Sequence, residues 1–141
     1  KTIVDGYGGV GTFTLRMLRD GAQHVSLVEC SPPACADARA NLSRNGFDNA
    51  EVLEHAFGTM PLPQCDLMVV DPPRAGLQEI GVRAVIKSGV QRVMLVSCSQ
   101  ESLARDLAML IPTYRVTALR LCDLFPHTEH VETVTILERN A

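Results

Sequence analysis

Cys98 stands where an apolar run, Val93 to Val96, meets a segment of helical spacing that begins near Gln100. A parallel α/β sheet collects its ligands at the C-terminal ends of its strands. The start of a helix favours an anion, so this junction suits a thiolate nucleophile. The plain alternative is a small buried hydrophobe. Two acids hold equivalent junctions. Glu29 ends the run His24 to Glu29, and Asp71 ends the run Cys65 to Asp71, just before Pro72 and Pro73. An acid followed by two prolines makes a rigid acceptor; a purely structural turn is the alternative. Asp5 precedes Gly6-x-Gly8-x-x-Gly11, a GxGxxG spacing between a strand and a helix. With Glu29 placed to take ribose hydroxyls, this pattern points to an adenosine-containing ligand, NAD or S-adenosylmethionine. A tight turn without a ligand is the alternative. Asp5 favours S-adenosylmethionine, because a dinucleotide brings its pyrophosphate to the helix N-terminus. A methylsulfonium is cationic and would not be repelled. Otherwise Asp5 only braces the turn.

These groups can meet only if the strands that carry them end together. Lys1 to Asp5 reads as a strand and Thr12 to Arg19 as a helix, with Thr12 as its cap. His24 to Glu29 is a second strand. Pro32-Pro33 opens a helix that stops near Asn45-Gly46. Glu51 to Glu54 and Cys65 to Asp71 are strands joined by a proline-rich loop, and a helix covers Gln78 to Ser88. The Cys98 strand and its helix follow. Thr113 to Leu121 and Val131 to Glu138 read as closing strands around the loop Cys122 to His130, forming an antiparallel hairpin. Alternation of strands and helices makes a doubly wound parallel sheet. The order is Rossmann-like, a class I S-adenosylmethionine-dependent methyltransferase pattern: a mostly parallel, seven-stranded type of sheet with an antiparallel C-terminal hairpin.

The chain has 141 residues, enough for one domain with a full core. With 46% apolar and 21% charged residues the balance is that of a globular chain, with no apolar run long enough to span a bilayer. A net charge of -3 leaves no electrostatic footprint for nucleic acid, so a grip on RNA would come mostly from elsewhere. Five cysteines at irregular spacing, with no CxxC pair, argue for reduced thiols in a cytoplasmic setting and against a metal site. The chain opens inside an apparent strand, as a piece lacking an N-terminal part would.

The blocks DGYGGVGTFTL (Asp5 to Leu15), VECSPPACADARANLSRNGFDN (Val28 to Asn49), DPPRAGL (Asp71 to Leu77), VSCSQESLARDL (Val96 to Leu107) and DLFPHTEHVETVTIL (Asp123 to Leu137) together resemble the catalytic domain of the RNA uracil-C5 methyltransferases. That family makes 5-methyluridine in tRNA and rRNA. The resemblance covers essentially the whole chain, and its last two blocks are the specific ones. It implies one catalytic domain over residues 1–141, S-adenosylmethionine as cofactor and RNA as substrate, held mainly by N-terminal regions that this chain lacks. It also implies a monomer. Carried over residue by residue, it makes Cys98 the nucleophile and Glu132 the general base. It puts Tyr7, Thr12, Glu29 and Asp71 on cofactor-contacting positions, with Gly9 and Gly11 shaping the turn.

Three departures from the family pattern stand out. The Asn-Pro that often follows the cysteine is Ser99-Gln100 here. A cysteine common in the glycine loop is Gly8, an exchange expected to be harmless. An Asp or Asn that reads the adenine amine is missing near Ala56, leaving His55 or the backbone. Arg105-Asp106 reads as an ion pair or helix brace, and Phe125-Pro126 as a pocket wall. His127 reads as loop polarity, and His130 as that or as a contact to RNA. The competing readings are an NAD-dependent oxidoreductase of Rossmann type and a non-catalytic module that binds cofactor or RNA.

Overall fold

The computed structural model describes residues 1–123 and 131–141. Phe125, Pro126, His127 and His130, assigned above to a pocket wall and loop contacts, lie outside the described residues.

Strands and helices alternate as the apolar periodicity requires: β1 Thr2–Gly6, α1 Thr12–Arg19, β2 His24–Glu29, α2 Pro32–Arg44, β3 Ala50–Glu54, β4 Leu67–Val70, α3 Gln78–Ser88, β5 Arg92–Ser97, α4 Gln100–Leu110, β6 Tyr114–Cys122 and β7 Glu132–Arg139. The strands form one sheet in the order β3-β2-β1-β4-β5-β7-β6. The first four pairings along it, up to β5, are parallel, and β7 runs antiparallel to both β5 and β6. This is the mostly parallel sheet with an antiparallel C-terminal hairpin that the sequence predicts.

Two cores hold the layers together. Leu18 of α1 and Leu42 of α2 pack on Ile3, Val25 and Val69 of one sheet face. Val82 and Val85 of α3 and Leu103 and Leu110 of α4 pack on Val4, Met68, Val70, Val93, Leu95 and Leu137 of the other. The strand order reverses between β1 and β4. In such sheets the crevice outside the strand ends at that switch is where ligands bind.

Strand ends shift by a residue or so from the sequence reading, and two differences bear on the site. α1 is capped by Gly11 in the left-handed region, φ 92°, with no side-chain hydrogen bond, so Thr12 is not its cap. β4 starts at Leu67 because the Asp66 carboxylate takes the Thr2 amide at 2.7 Å, outside the ladder. It stops at Val70, beyond which the Asp71 amide makes one long bond to Gly6 O at 3.3 Å.

Candidate active site

The glycine turn is built by close approach. The Gly8 amide donates to Val28 O at 3.0 Å, and a Cβ on Gly8 would lie 2.4 Å from Leu27 Cγ. With Leu27 beneath it, the turn has room only for glycine at position 8. Gly9 and Gly11 both sit at positive φ, 57° and 92°. Glu29 ties the turn to the next strand end. Its Oε1 accepts from the Gly9 amide at 3.1 Å and its Oε2 from the Ser31 amide at 2.8 Å. The carboxylate is thus held rigidly at the strand edge beside the turn.

Tyr7 occupies the left-handed region, φ 60°, an uncommon place for a residue with a side chain. Its ring stacks on Phe57 with centroids 4.9 Å apart, and burial pushes its phenol up to about 12. Its hydroxyl lies 3.1 Å from where a Cβ on Gly81 would be, which accounts for a glycine inside α3. Tyr7 thus floors the crevice from a half-buried position. Thr12 is exposed on the first turn of α1, and its side chain makes no cap bond. His55 turns its Nδ1 to the carbonyl of Ala56 at 3.0 Å, and that carbonyl also accepts from Thr59 Oγ1. This position therefore offers backbone and no carboxylate.

Asp5 is fully buried. Oδ2 accepts from Thr14 Oγ1 at 2.6 Å, a partner that strand–helix spacing alone did not reveal, and Oδ1 has no partner among the described residues. The carboxylate braces β1 against α1, which is the bracing alternative. Burial pushes it up to about 6 from the ordinary 3.8. Between those values the folded chain keeps a proton that the unfolded chain releases. Stability from this group therefore falls as pH rises from about 4 to about 6, then levels, by about 3 kcal/mol in all. Asp5→Asn removes that component. Chemical denaturation should show wild type losing about that much stability relative to the variant between about pH 4 and about pH 7. A constant difference would contradict it.

The second half of the site comes from β4, β5 and β7. Val69 pairs beside Met94, and Val96 pairs opposite Val134, so these residues share the α1 face of the sheet. Side chains alternate faces along a strand. Extending the pleat past the last pairs sends Asp71, Cys98 and Glu132 to that same face and edge. Ser97 faces Thr133, so Cys98 and Glu132 come next to each other in the antiparallel register. The Asp71 carboxyl is raised, first by burial and then by the charge of Glu132. The Asp71 charge in turn adds a small upward push on Asp5.

Cys98 is half-buried and directly precedes Ser99, the N-cap of α4. Ser99 Oγ accepts from the Ser102 amide at 3.3 Å. Serine caps as well as asparagine does, and Gln100 takes the first helical position where proline is favoured. The replacement of Asn-Pro therefore keeps the turn that presents the thiol. A recess of about 250 Å³ lined by Arg74, Cys98, Ser99, Gln100, Glu101 and Val131 opens there.

The described residues contain no group of three or more His, Cys, Asp or Glu able to hold a metal ion, and no helix long and apolar enough to cross a membrane. The groups at the strand ends suit an adenosyl ligand with a cationic centre: a fixed carboxylate at the end of β2, close-packed glycines, and the Asp71 carboxylate by the switch point. The same carboxylates would repel a pyrophosphate.

Comparison with known proteins gives the same direction. The sequence profile of the tRNA (Uracil-5-)-methyltransferase family matches residues 59–140. An RNA methyltransferase of Bacillus cereus is 40% identical over 99% of this chain and 31% of its own length. One from Halalkalibacterium halodurans is 38% identical over 98% and 31%. The chain thus spans about a third of the length of these relatives. The crystal structure of Pyrococcus abyssi tRNA (uracil-54, C5)-methyltransferase in complex with S-adenosyl-L-homocysteine superposes with a TM-score of 0.87 at 36% identity, covering 96% of this chain and 33% of that one. An rRNA methylase from Streptococcus thermophilus, 14% identical with a TM-score of 0.79 over 100% of this chain and 87% of its own, shares the fold.

Proposed function

This chain belongs to the tRNA (Uracil-5-)-methyltransferase family, and on that premise we propose that residues 1–141 form the catalytic domain of an enzyme that methylates C5 of a uridine in RNA. The observation that carries the reading is the antiparallel insertion of β7 beside β5, which sets Glu132 next to Cys98 and within the field of Asp71.

Uracil C5 is too weakly nucleophilic to take a methyl group unaided. Addition of Cys98 Sγ to C6 makes the ring an enolate whose electron pair lies at C5. S-adenosylmethionine, when bound, supplies a methyl carbon made electrophilic by its positively charged sulfur. Glu29 and the Gly9–Gly11 turn would hold its adenosyl part, over Tyr7. Asp71 would stand at its reactive end, and Thr12 at the mouth of the turn. Once C5 is alkylated, the Glu132 carboxylate removes the remaining C5 proton. The electron pair returns to the ring, and the Sγ–C6 bond breaks. The target base must leave its stack to reach this edge. The grip on the rest of the RNA comes mostly from regions beyond this chain, in keeping with its net charge of -3.

The test is product identity. The full-length protein, given S-adenosylmethionine and RNA from cells lacking it, should produce 5-methyluridine, read by nucleoside mass spectrometry. A methyl group on another atom, or thermal stabilisation by NAD in place of S-adenosylhomocysteine, would overturn the reading.

A further inference from the structure

Asp106 is 1% exposed in the middle of α4, yet the carboxylate is spent on another element. Its Oδ2 accepts from the Leu77 amide at 2.7 Å and its Oδ1 from the Gln78 amide at 3.2 Å. Leu77 is the N-cap of α3 and supplies no cap bond of its own, so Asp106 caps α3 from the neighbouring helix. One turn earlier, Ser102 Oγ donates to Arg74 O at 2.6 Å. Arg105 donates to Ala75 O. Arg105 and Asp106 are therefore no ion pair; both reach separately to the segment after Asp71. Gly76 sits at φ 79° with no room for a side chain, since a Cβ would lie 2.4 Å from Asp106 Oδ2. Gln78 is held at φ 57°, a conformation that a residue with a side chain seldom adopts.

The two ends of this clasp are the two halves of the candidate site. The clasped segment starts at Asp71. The clasping helix starts just after Cys98, and Arg74 lines the same recess as Cys98. We propose that Asp106 is a positioning residue which, with Ser102, locks the Asp71–Gln78 segment onto the helix that presents Cys98, fixing Asp71 and Arg74 relative to the thiol. This rests on the proposed function, because it gives the locked geometry a reaction to serve. Asp106 touches no reacting atom; it acts through Asp71 and Arg74.

The full-length enzyme tests it. Asp106→Asn keeps the volume but leaves one acceptor oxygen for two amides. It should lower kcat for 5-methyluridine formation by about 10- to 100-fold, the scale of a small misplacement at a reacting centre. The KM for RNA and the Kd for S-adenosylhomocysteine should stay within about 3-fold. In an Asp71→Asn background the same change should cost less than about 3-fold, because the group it positions is already gone. A general loss of stability would instead multiply with Asp71→Asn. If Asp106→Asn does not fold, Ser102→Ala decides. It removes only the bond to Arg74 O and should show the same pattern at about 3- to 10-fold. A folded variant with wild-type kcat, or losses that multiply, overturns the clasp while leaving the proposed function standing. A wild type that makes no 5-methyluridine fails the proposed function itself, and the clasp's role with it.

Discussion

Cys98→Ala in the full-length protein abolishes both 5-methyluridine formation and any covalent RNA adduct. The expected loss is at least about 10⁴-fold in kcat, the scale on which removal of an attacking nucleophile is felt. Among the described residues the other thiol at this edge, Cys122, pairs opposite Glu132 on β6, two strands farther from Asp71 than Cys98 is. Asp71 and Glu132 are carboxylates, and Ser99 spends its hydroxyl oxygen on the Ser102 amide as the cap of α4. The fold should survive. Cys98 is half-buried and precedes the capping residue, so its truncation neither opens a core cavity nor uncaps the helix. A stability change within about 1 kcal/mol is expected, and binding of S-adenosylhomocysteine should be retained. Methylation by this variant at even a few per cent of the wild-type rate would remove Cys98 from the mechanism.

Glu132→Gln has the opposite signature: the reaction starts and does not finish. The side chain keeps its size, and the backbone keeps the pairing of Glu132 with Cys122 across β6 and β7. Cys98 still adds, and C5 is still alkylated, but the C5 proton has no base. Turnover should fall by about 10²- to 10⁴-fold, the usual contribution of a positioned base. The methylated RNA should remain on the protein as a band that survives denaturation. The variant also removes the charge that helps to raise Asp71, so the Asp71 carboxyl should move down toward the ordinary carboxylate range. Normal turnover in this variant would require another base.

Much of the fold is legible because its strands are buried runs of valine, leucine and isoleucine and its helices carry clear stops. β2 and α3 fall where the sequence puts them, since a polar or glycine residue closes each run. The glycine turn and the acid at the end of β2 are legible for the same local reason. Thr12 misleads because a left-handed glycine can begin a helix without any side-chain cap. The start of β4 misleads because the Asp66 carboxylate is drawn off to the Thr2 amide. The proximity of Cys98 and Glu132 is not local at all. It depends on β7 entering the sheet antiparallel between β5 and β6, and strand order is not written in periodicity. The roles of those two residues rested on resemblance until the register supplied a geometry for them. Asp106 shows the same limit from the other side. A buried acid inside a helix looks like an ion-pair partner to its neighbour Arg105, yet its partners are two backbone amides of α3.

The most direct measurement of the account is the mass of the peptide that carries the trapped adduct. Full-length Glu132→Gln is incubated with S-adenosylmethionine and substrate RNA, denatured, and digested with protease and nuclease. One modified peptide is expected, spanning Cys98 and heavier by a uridine nucleotide plus one methyl group. An adduct on Cys30, Cys35, Cys65 or Cys122, an adduct without the methyl group, or none at all would contradict it.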